Sequence, residues 1–249
     1  MNPEKYSLII VKVGTNTIMG DSGLKKDFFS VLISEVVKLI KEGKKVVIVS
    51  SGAIGLGKRK LNLVPKSIVE QQGLAAIGQV ALMDEYVTRF ELEGIEAAQI
   101  LVSQHDLLNK ACLNNLENTL DFLFSHKVVP VVNENDVVAI EELRKDGMFS
   151  DNDALAALLA KQIGADLLVM LTSKSGLVAR SGEIISELND FNSVCDMGRS
   201  SRDGRGGINS KLASIKTAVS SKCDVFVSGP GSFKGFSSGK ARGTFVPSK

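Results

Sequence analysis

Six short runs rich in valine, isoleucine and leucine punctuate the chain at residues 8–13, 45–50, 98–102, 128–133, 167–172 and 224–228, and longer stretches with helical periodicity separate them. Alternation of this kind predicts an α/β sheet with helices on both faces. The runs are nearly continuous in apolar character, which fits parallel strands covered on both sides. Helices are predicted over 27–42, 67–93, 111–125, 152–163 and 209–222. In the first, Phe28, Val31, Leu32, Val36 and Leu39 repeat at helical spacing, and Gly43 is placed to end it in a left-handed conformation. Two segments break the alternation, 136–149 around Asp146-Gly147 and 176–185 around Ser181-Gly182. Both read as β-hairpins projecting from the sheet edge. No linker, repeat or shift in composition divides the chain, so one domain with two lobes is expected.

The 249 residues carry a net charge of +2, with 44% hydrophobic and 23% charged side chains, which describes a chain that folds rather than a disordered one. Basic residues gather only in short clusters such as Lys58-Arg59-Lys60, read as solvated loops or helix ends, so neither nucleic acid nor a membrane surface is an expected partner. No run approaches the ~20 apolar residues of a membrane span. Cys112, Cys195 and Cys223 are widely spaced and odd in number, and His105 and His126 share no metal-ligand spacing. Neither a disulfide framework nor a protein-ligated metal is expected, and the chain is read as cytoplasmic.

Chemistry concentrates where the predicted strands end. Residues 203–212 read Asp-Gly-Arg-Gly-Gly-Ile-Asn-Ser-Lys-Leu, glycines followed by a lysine at a helix start. Such a segment offers backbone N–H groups and a helix dipole to an anion, with phosphate as the first guess. It departs from the common phosphate loop, in which the lysine is followed by Ser or Thr. Lys12 closes the first strand and must either snorkel to water or meet an anion. After the second strand comes Ser50-Ser51-Gly52-Ala53-Ile54-Gly55-Leu56-Gly57, either a tight turn or a cradle for a carboxylate or phosphate. Asn133-Glu134-Asn135-Asp136 ends the fourth strand. Ser150-Asp151-Asn152-Asp153 opens a helix, where Asp151 could simply cap it.

Two lysines, glycine-borne donors and a cluster of Asn and Asp contain no strong nucleophile and no base poised near neutrality. Phosphoryl transfer suits them, because it asks chiefly for positioning and charge stabilisation. A carboxylate acceptor would need no proton removed. A dehydrogenase is excluded, since the first strand leads into a lysine and one glycine in place of the dinucleotide fingerprint.

Val11-Lys12-Val13-Gly14-Thr15, Ser51-Gly52-Ala53-Ile54, Asn133-Glu134-Asn135-Asp136, Asp151-Asn152-Asp153 and Gly206-Gly207-Ile208-Asn209-Ser210-Lys211 together resemble the amino acid kinase family. The resemblance spans nearly the whole chain. It implies a three-layer α/β/α sandwich with a mainly parallel sheet, an N-terminal lobe for the amino acid and a C-terminal lobe for ATP. The implied reaction is transfer of phosphate from ATP, with Mg²⁺ held mainly by ATP phosphates and water, to the side-chain carboxylate of L-glutamate at the start of proline synthesis. N-acetylglutamate and aspartate kinases, or a sensor without turnover, are the alternatives. By motif position, Lys12, Lys211 and Asp153 would be catalytic. Ser51, Gly52, Ala53, Asp136 and Asn152 would bind the amino acid. Lys12, Thr172, Ser173, Arg205, Gly206, Gly207, Ile208, Asn209, Ser210 and Lys211 would bind ATP. Ser173, Arg205 and Ile208 stand where relatives often carry Asp, Thr and Met. The resemblance further implies a homo-oligomer, dimer or tetramer, with proline as feedback inhibitor, and the C-terminal module found in many relatives is not expected in this chain.

Overall fold

In the computed structural model, residues 3–20, 23–138, 152–194 and 207–248 are described. A seven-stranded sheet organises them: β1 (Leu8–Val13), β4 (Lys45–Ser50), β5 (Ala97–Val102), β6 (Val129–Glu134), β7 (Leu167–Leu171), β8 (Asp224–Ser228) and β9 (Thr244–Val246). Their order is β5-β6-β4-β1-β7-β8-β9. The first six run parallel, and β9 returns antiparallel on β8. Two-residue strands β2 (Met19–Gly20) and β3 (Gly23–Leu24) pair separately.

Strand alternation sorts the core into two layers. Ile9, Val11 and Val13 of β1 face one side with Val46, Ile48, Val131 and Val169, beneath α2 (Lys26–Lys41) and α4 (Ile68–Glu91). Phe29, Leu32, Val36 and Leu39 of α2, spaced by three or four residues, point into this layer with Leu82, Tyr86 and Phe90 of α4. Ile10, Val47, Val132, Leu168 and Val225 face the other side. There they meet α6 (Lys110–Ser125), α7 (Asn152–Gln162) and α8 (Ile208–Val219). Each fully buried aliphatic or aromatic side chain contributes about 1.5–3 kcal/mol, enough to hold six parallel strands between two helical layers. Ala156, Ala157 and Ala160 keep α7 close to the sheet, and that closeness sets the depth of the site at its N-terminus.

β1 and β7 are neighbours, but the chain leaves β1 toward β4 and leaves β7 toward β8. Connections diverging from adjacent strands open a crevice at their carboxyl ends, where open α/β sheets bind ligands.

Several elements depart from the sequence expectation. The 50–57 segment does turn sharply at Ser51-Gly52, but from Ala53 it is part of a helix not among those expected, α3 (Ala53–Leu61); the short α1 (Thr15–Ile18) and α5 (Gln104–Leu108) are further additions. The basic cluster 58–60 is the C-terminal turn of α3. β9 was not anticipated either, being three residues long. The 176–185 segment does turn back on itself, with Val178 bridged to Ile184, but its base does not project: Leu177 and Leu188 are buried in the second layer. Of the other expected hairpin, residues 136–138 form a turn and 139–149 lie outside the described residues.

Candidate active site

On β1, Ile10 and Lys12 point to the second layer, and Lys12 comes up beneath the start of α7. Its ammonium does not snorkel. Lys12 Nζ lies 2.5 Å from Asp153 Oδ1, with the side chains 8% and 7% exposed. The other oxygen of Asp153, Oδ2, pairs with Lys211 Nζ. Lys211 is the fourth residue of α8, on the helical face that carries Ile215 and Ala218 into the core, so packing of that face delivers the ammonium to the sheet. Burial alone would raise the Asp153 pKa. The two ammonium groups more than reverse this and hold the carboxylate far below its ordinary range. The first turn of α7 adds a favourable dipole.

Beside this centre, β4 ends in Ser50 and the chain turns sharply into α3. Ser51 N–H donates to Val13 O at 3.0 Å, fastening the ends of β4 and β1. Gly52 makes the turn with φ of 113°, and a Cβ there would stand 2.6 Å from Ile18 Cδ1. Only glycine serves both demands. The approach of α3 to α4 is closer still: a Cβ on Gly78 would fall 1.7 Å from Ala53 O, and one on Gly57 1.9 Å from Leu74 O.

Asn152, next to Asp153, donates through Nδ2 to Ser51 Oγ at 2.7 Å, Asn133 Oδ1 at 3.2 Å and Ser50 O at 3.3 Å. Its Oδ1 is shut away from water and has no hydrogen-bond donor among the described residues. Asp136 lies two residues beyond β6, in the turn at its end, half-buried. Among the expected amino-acid ligands, the structure brings together Ser51, Gly52, Ala53 and Asn152.

α3 and α8 follow Gly52 and Gly207, neither of which supplies a side-chain cap, and the dipole of each N-terminus favours a nearby anion. Ile208, Asn209, Ser210 and Lys211 form the opening turn of α8. Thr172 and Ser173 follow β7, where Thr172 N–H donates to Ser228 O at 2.9 Å and Thr172 Oγ1 to Lys174 O at 2.9 Å. Arg205 and Gly206 lie outside the described residues. Two surface cavities, about 370 Å³ beside β5, α5 and α6 and about 350 Å³ around Lys44, Lys45, Phe124 and Lys127, are both remote from the lysine–aspartate centre.

Three participants lie outside the expected ligand set. Asn133 belongs to the 133–136 motif but is not among the expected amino-acid ligands. Gln79, on the inner face of α4, accepts from Asn133 Nδ2 at 2.8 Å. Thr17, 1% exposed, donates through Oγ1 to Leu171 O at 3.2 Å, tying the β1 loop to the end of β7. A polar residue on an otherwise apolar helix face is the signal that could have singled out Gln79.

A carboxylate shared by two ammonium groups at the switch point of a parallel sheet, one of them borne on the opening residues of α8, is an arrangement for a multiply charged anion. The family model described as "Amino acid kinase family" matches residues 7–228, and the chain belongs to that family. Glutamate 5-kinase of Thermotoga maritima is 40% identical over 224 residues, covering 87% of this chain and 60% of that protein. Glutamate 5-kinase of Enterococcus faecalis is 37% identical over 226 residues, covering 86% and 83%. The chain thus spans three fifths of the first relative and most of the second. The fold is shared with a carbamate kinase of Giardia, with TM-score 0.65 and 13% identity over 98% of this chain and all of that one.

Proposed function

We propose that the chain transfers the γ-phosphoryl group of ATP to the side-chain carboxylate of L-glutamate, giving L-glutamyl 5-phosphate and ADP, as the opening reaction of proline synthesis. The observation that carries this is Asp153 holding Lys12 and Lys211 together, two fixed cations where a phosphoryl group in transfer would develop charge. A glutamate carboxylate oxygen attacks the γ-phosphorus in line, a P–O bond forms, and the bond to the β,γ-bridging oxygen breaks with its electron pair leaving on ADP. No proton moves, so no base is required. The names of the relatives favour glutamate over N-acetylglutamate or aspartate.

In this reading Ser51, Gly52, Ala53, Asn152 and Asp136 hold the amino acid in the N-terminal lobe. Thr172, Ser173 and the segment from Arg205 to Lys211 hold ATP in the C-terminal lobe. Both oxygens of Asp153 are taken by lysines, which leaves this carboxylate no place in the inner shell of a metal. Mg²⁺ therefore fits as an ion carried on the ATP phosphates and water, where it would offset charge on the triphosphate. Feedback inhibition by proline, assembly as a homo-dimer or homo-tetramer and a cytoplasmic location belong to the same proposal.

The test is ADP release by the purified protein with ATP and Mg²⁺ and L-glutamate, N-acetyl-L-glutamate, aspartate or no acceptor, with hydroxylamine to trap an acyl phosphate. Glutamate-dependent hydroxamate is the expected result. Turnover confined to another acceptor, or none at all, would overturn the assignment.

A further inference from the structure

Asn152 is held in one sense by its neighbours, since Ser50 O, a backbone carbonyl, can only accept from its Nδ2. A carboxamide can be turned over at little steric cost, exchanging its donor and acceptor ends. Three acceptors converge on Asn152 Nδ2, and one of them is Asn133 Oδ1, itself the end of another reversible carboxamide. If Asn133 turned over, its NH₂ would face Asn152 Nδ2 and the Glu134 N–H that now donates to Oδ1 at 2.9 Å, placing donor against donor.

What holds Asn133 from its far side is Gln79, whose Oε1 accepts Asn133 Nδ2 at 2.8 Å while its Nε2 donates to Gln99 Oε1 at 3.1 Å. The donor-to-acceptor sense therefore runs one way, from Asn152 to Asn133 to Gln79 to Gln99. We infer that Gln79 is a positioning residue for the amino-acid substrate: it accepts from Asn133 and, with the Glu134 N–H and Ser50 O that set the sense of the two amides, holds Asn133 and Asn152 in place, so that Asn152 Oδ1 is kept as an acceptor for the substrate's ammonium group.

Two features single out this role. Asn152 Oδ1 is buried and has no donor among the described residues, the state expected of an acceptor reserved for a ligand. Gln79 itself is 9% exposed on a helix face otherwise occupied by Leu82, Met83 and Tyr86, where an aliphatic residue would pack at less cost in desolvation. The substrate side of the inference rests on the glutamate kinase reading above. The relay itself rests on the hydrogen bonds alone.

The discriminating pair is Gln79→Met, which keeps the length of the side chain and removes the acceptor, and Gln79→Glu, which keeps the acceptor. Gln79→Met is expected to raise KM for glutamate about tenfold, the effect of a hydrogen bond worth about 1.4 kcal/mol, with KM for ATP within twofold of wild type. Gln79→Glu is expected to recover most of the loss. In ¹⁵N-edited spectra the side-chain amide signals of Asn133 and Asn152 should shift in Gln79→Met and stay near their wild-type positions in Gln79→Glu.

Equal KM for glutamate and unmoved amide signals in folded Gln79→Met would overturn the inference, as would Gln79→Glu behaving like Gln79→Met. Absence of glutamate turnover in the wild type would count against the reaction assigned above, while the amide signals would still decide the relay.

Discussion

Lys12 Nζ stands 2.5 Å from Asp153 Oδ1, and neither side chain is more than a tenth exposed. One carboxylate thus fixes a lysine from the first strand, and its second oxygen fixes another from the last helix. The separation of the two cations is set by the fold, so in the proposed phosphoryl transfer they would stabilise charge with little reorganisation. The low pKa of Asp153 is the same fact in another form: the carboxylate stays charged because two ammonium groups need it.

Removing either cation should therefore leave a folded but slow enzyme. Lys12→Ala and Lys211→Ala are each expected to lower kcat by roughly 10²–10³, by analogy with loss of one preorganised donor. Hydroxamate formation at saturating glutamate and ATP measures this. Turnover near that of the wild type in either variant would remove the lysine from the catalytic role.

Asp153→Asn has a different expected signature, because it strands two cations in place of one anion. Destabilisation of about 3–5 kcal/mol is expected, the usual result of breaking a buried ion pair from one side. Urea unfolding at pH 7 provides the measurement. A variant as stable as wild type would mean that the lysines reach water when Asp153 is lost.

Acid should weaken the fold through Glu35, which is 2% exposed and joins α2 to the loop before β9. Burial alone would raise its pKa, but Lys38 and the N–H and hydroxyl of Ser237 bond to the carboxylate and bring the value below normal. A depressed folded pKa contributes stability that is fully present above the unfolded value of about 4.3 and is lost as pH falls toward the folded one. Urea midpoints from pH 7 to pH 3 should drop in the acid limb, and Glu35→Gln should flatten part of that drop. A Glu35→Gln profile parallel to wild type would contradict the linkage.

The α3–α4 contact should tolerate no added methyl. Gly78→Ala would place Cβ within 1.7 Å of Ala53 O, and Ala53 follows directly on the Ser51-Gly52 turn. A loss of about 1–3 kcal/mol or more is expected, or roughly 2–4 °C in Tm for each kcal/mol. Because the strain falls on that turn, KM for glutamate should rise as well. Thermal melts together with glutamate titrations test both parts.

Much of the scaffold could be read from pattern. The expected strand at 224–228 coincides with β8, and the expected helix at 27–42 lies within a residue of α2 at each end, because uninterrupted apolar character and helical spacing are local properties. α3 was missed for a physical reason: Gly55 and Gly57 weaken its intrinsic helicity, and it forms because small residues let it dock on α4. Lys12 and Lys211 could be singled out, since a lysine closing a strand and another opening a glycine-led helix are anomalies visible in one dimension. Gln79 could not be assigned a task in that way, as its partner Asn133 is distant in the chain and meets it only across the packed sheet and helix.

The position of β1 in the sheet also bears on how the chain is made. Of the two neighbours of β1, β4 follows closely in the chain, but β7 ends only at Leu171. At ordinary ribosome speeds of about 5–20 residues per second, the roughly 150 intervening residues take about 8–30 s. During that time the middle strand of the finished sheet has one unpaired, strongly apolar edge, the kind that templates association between nascent chains. The strand that carries Lys12 is thus also the part of the newborn chain that waits longest for its partner, and the part a chaperone would have most reason to cover.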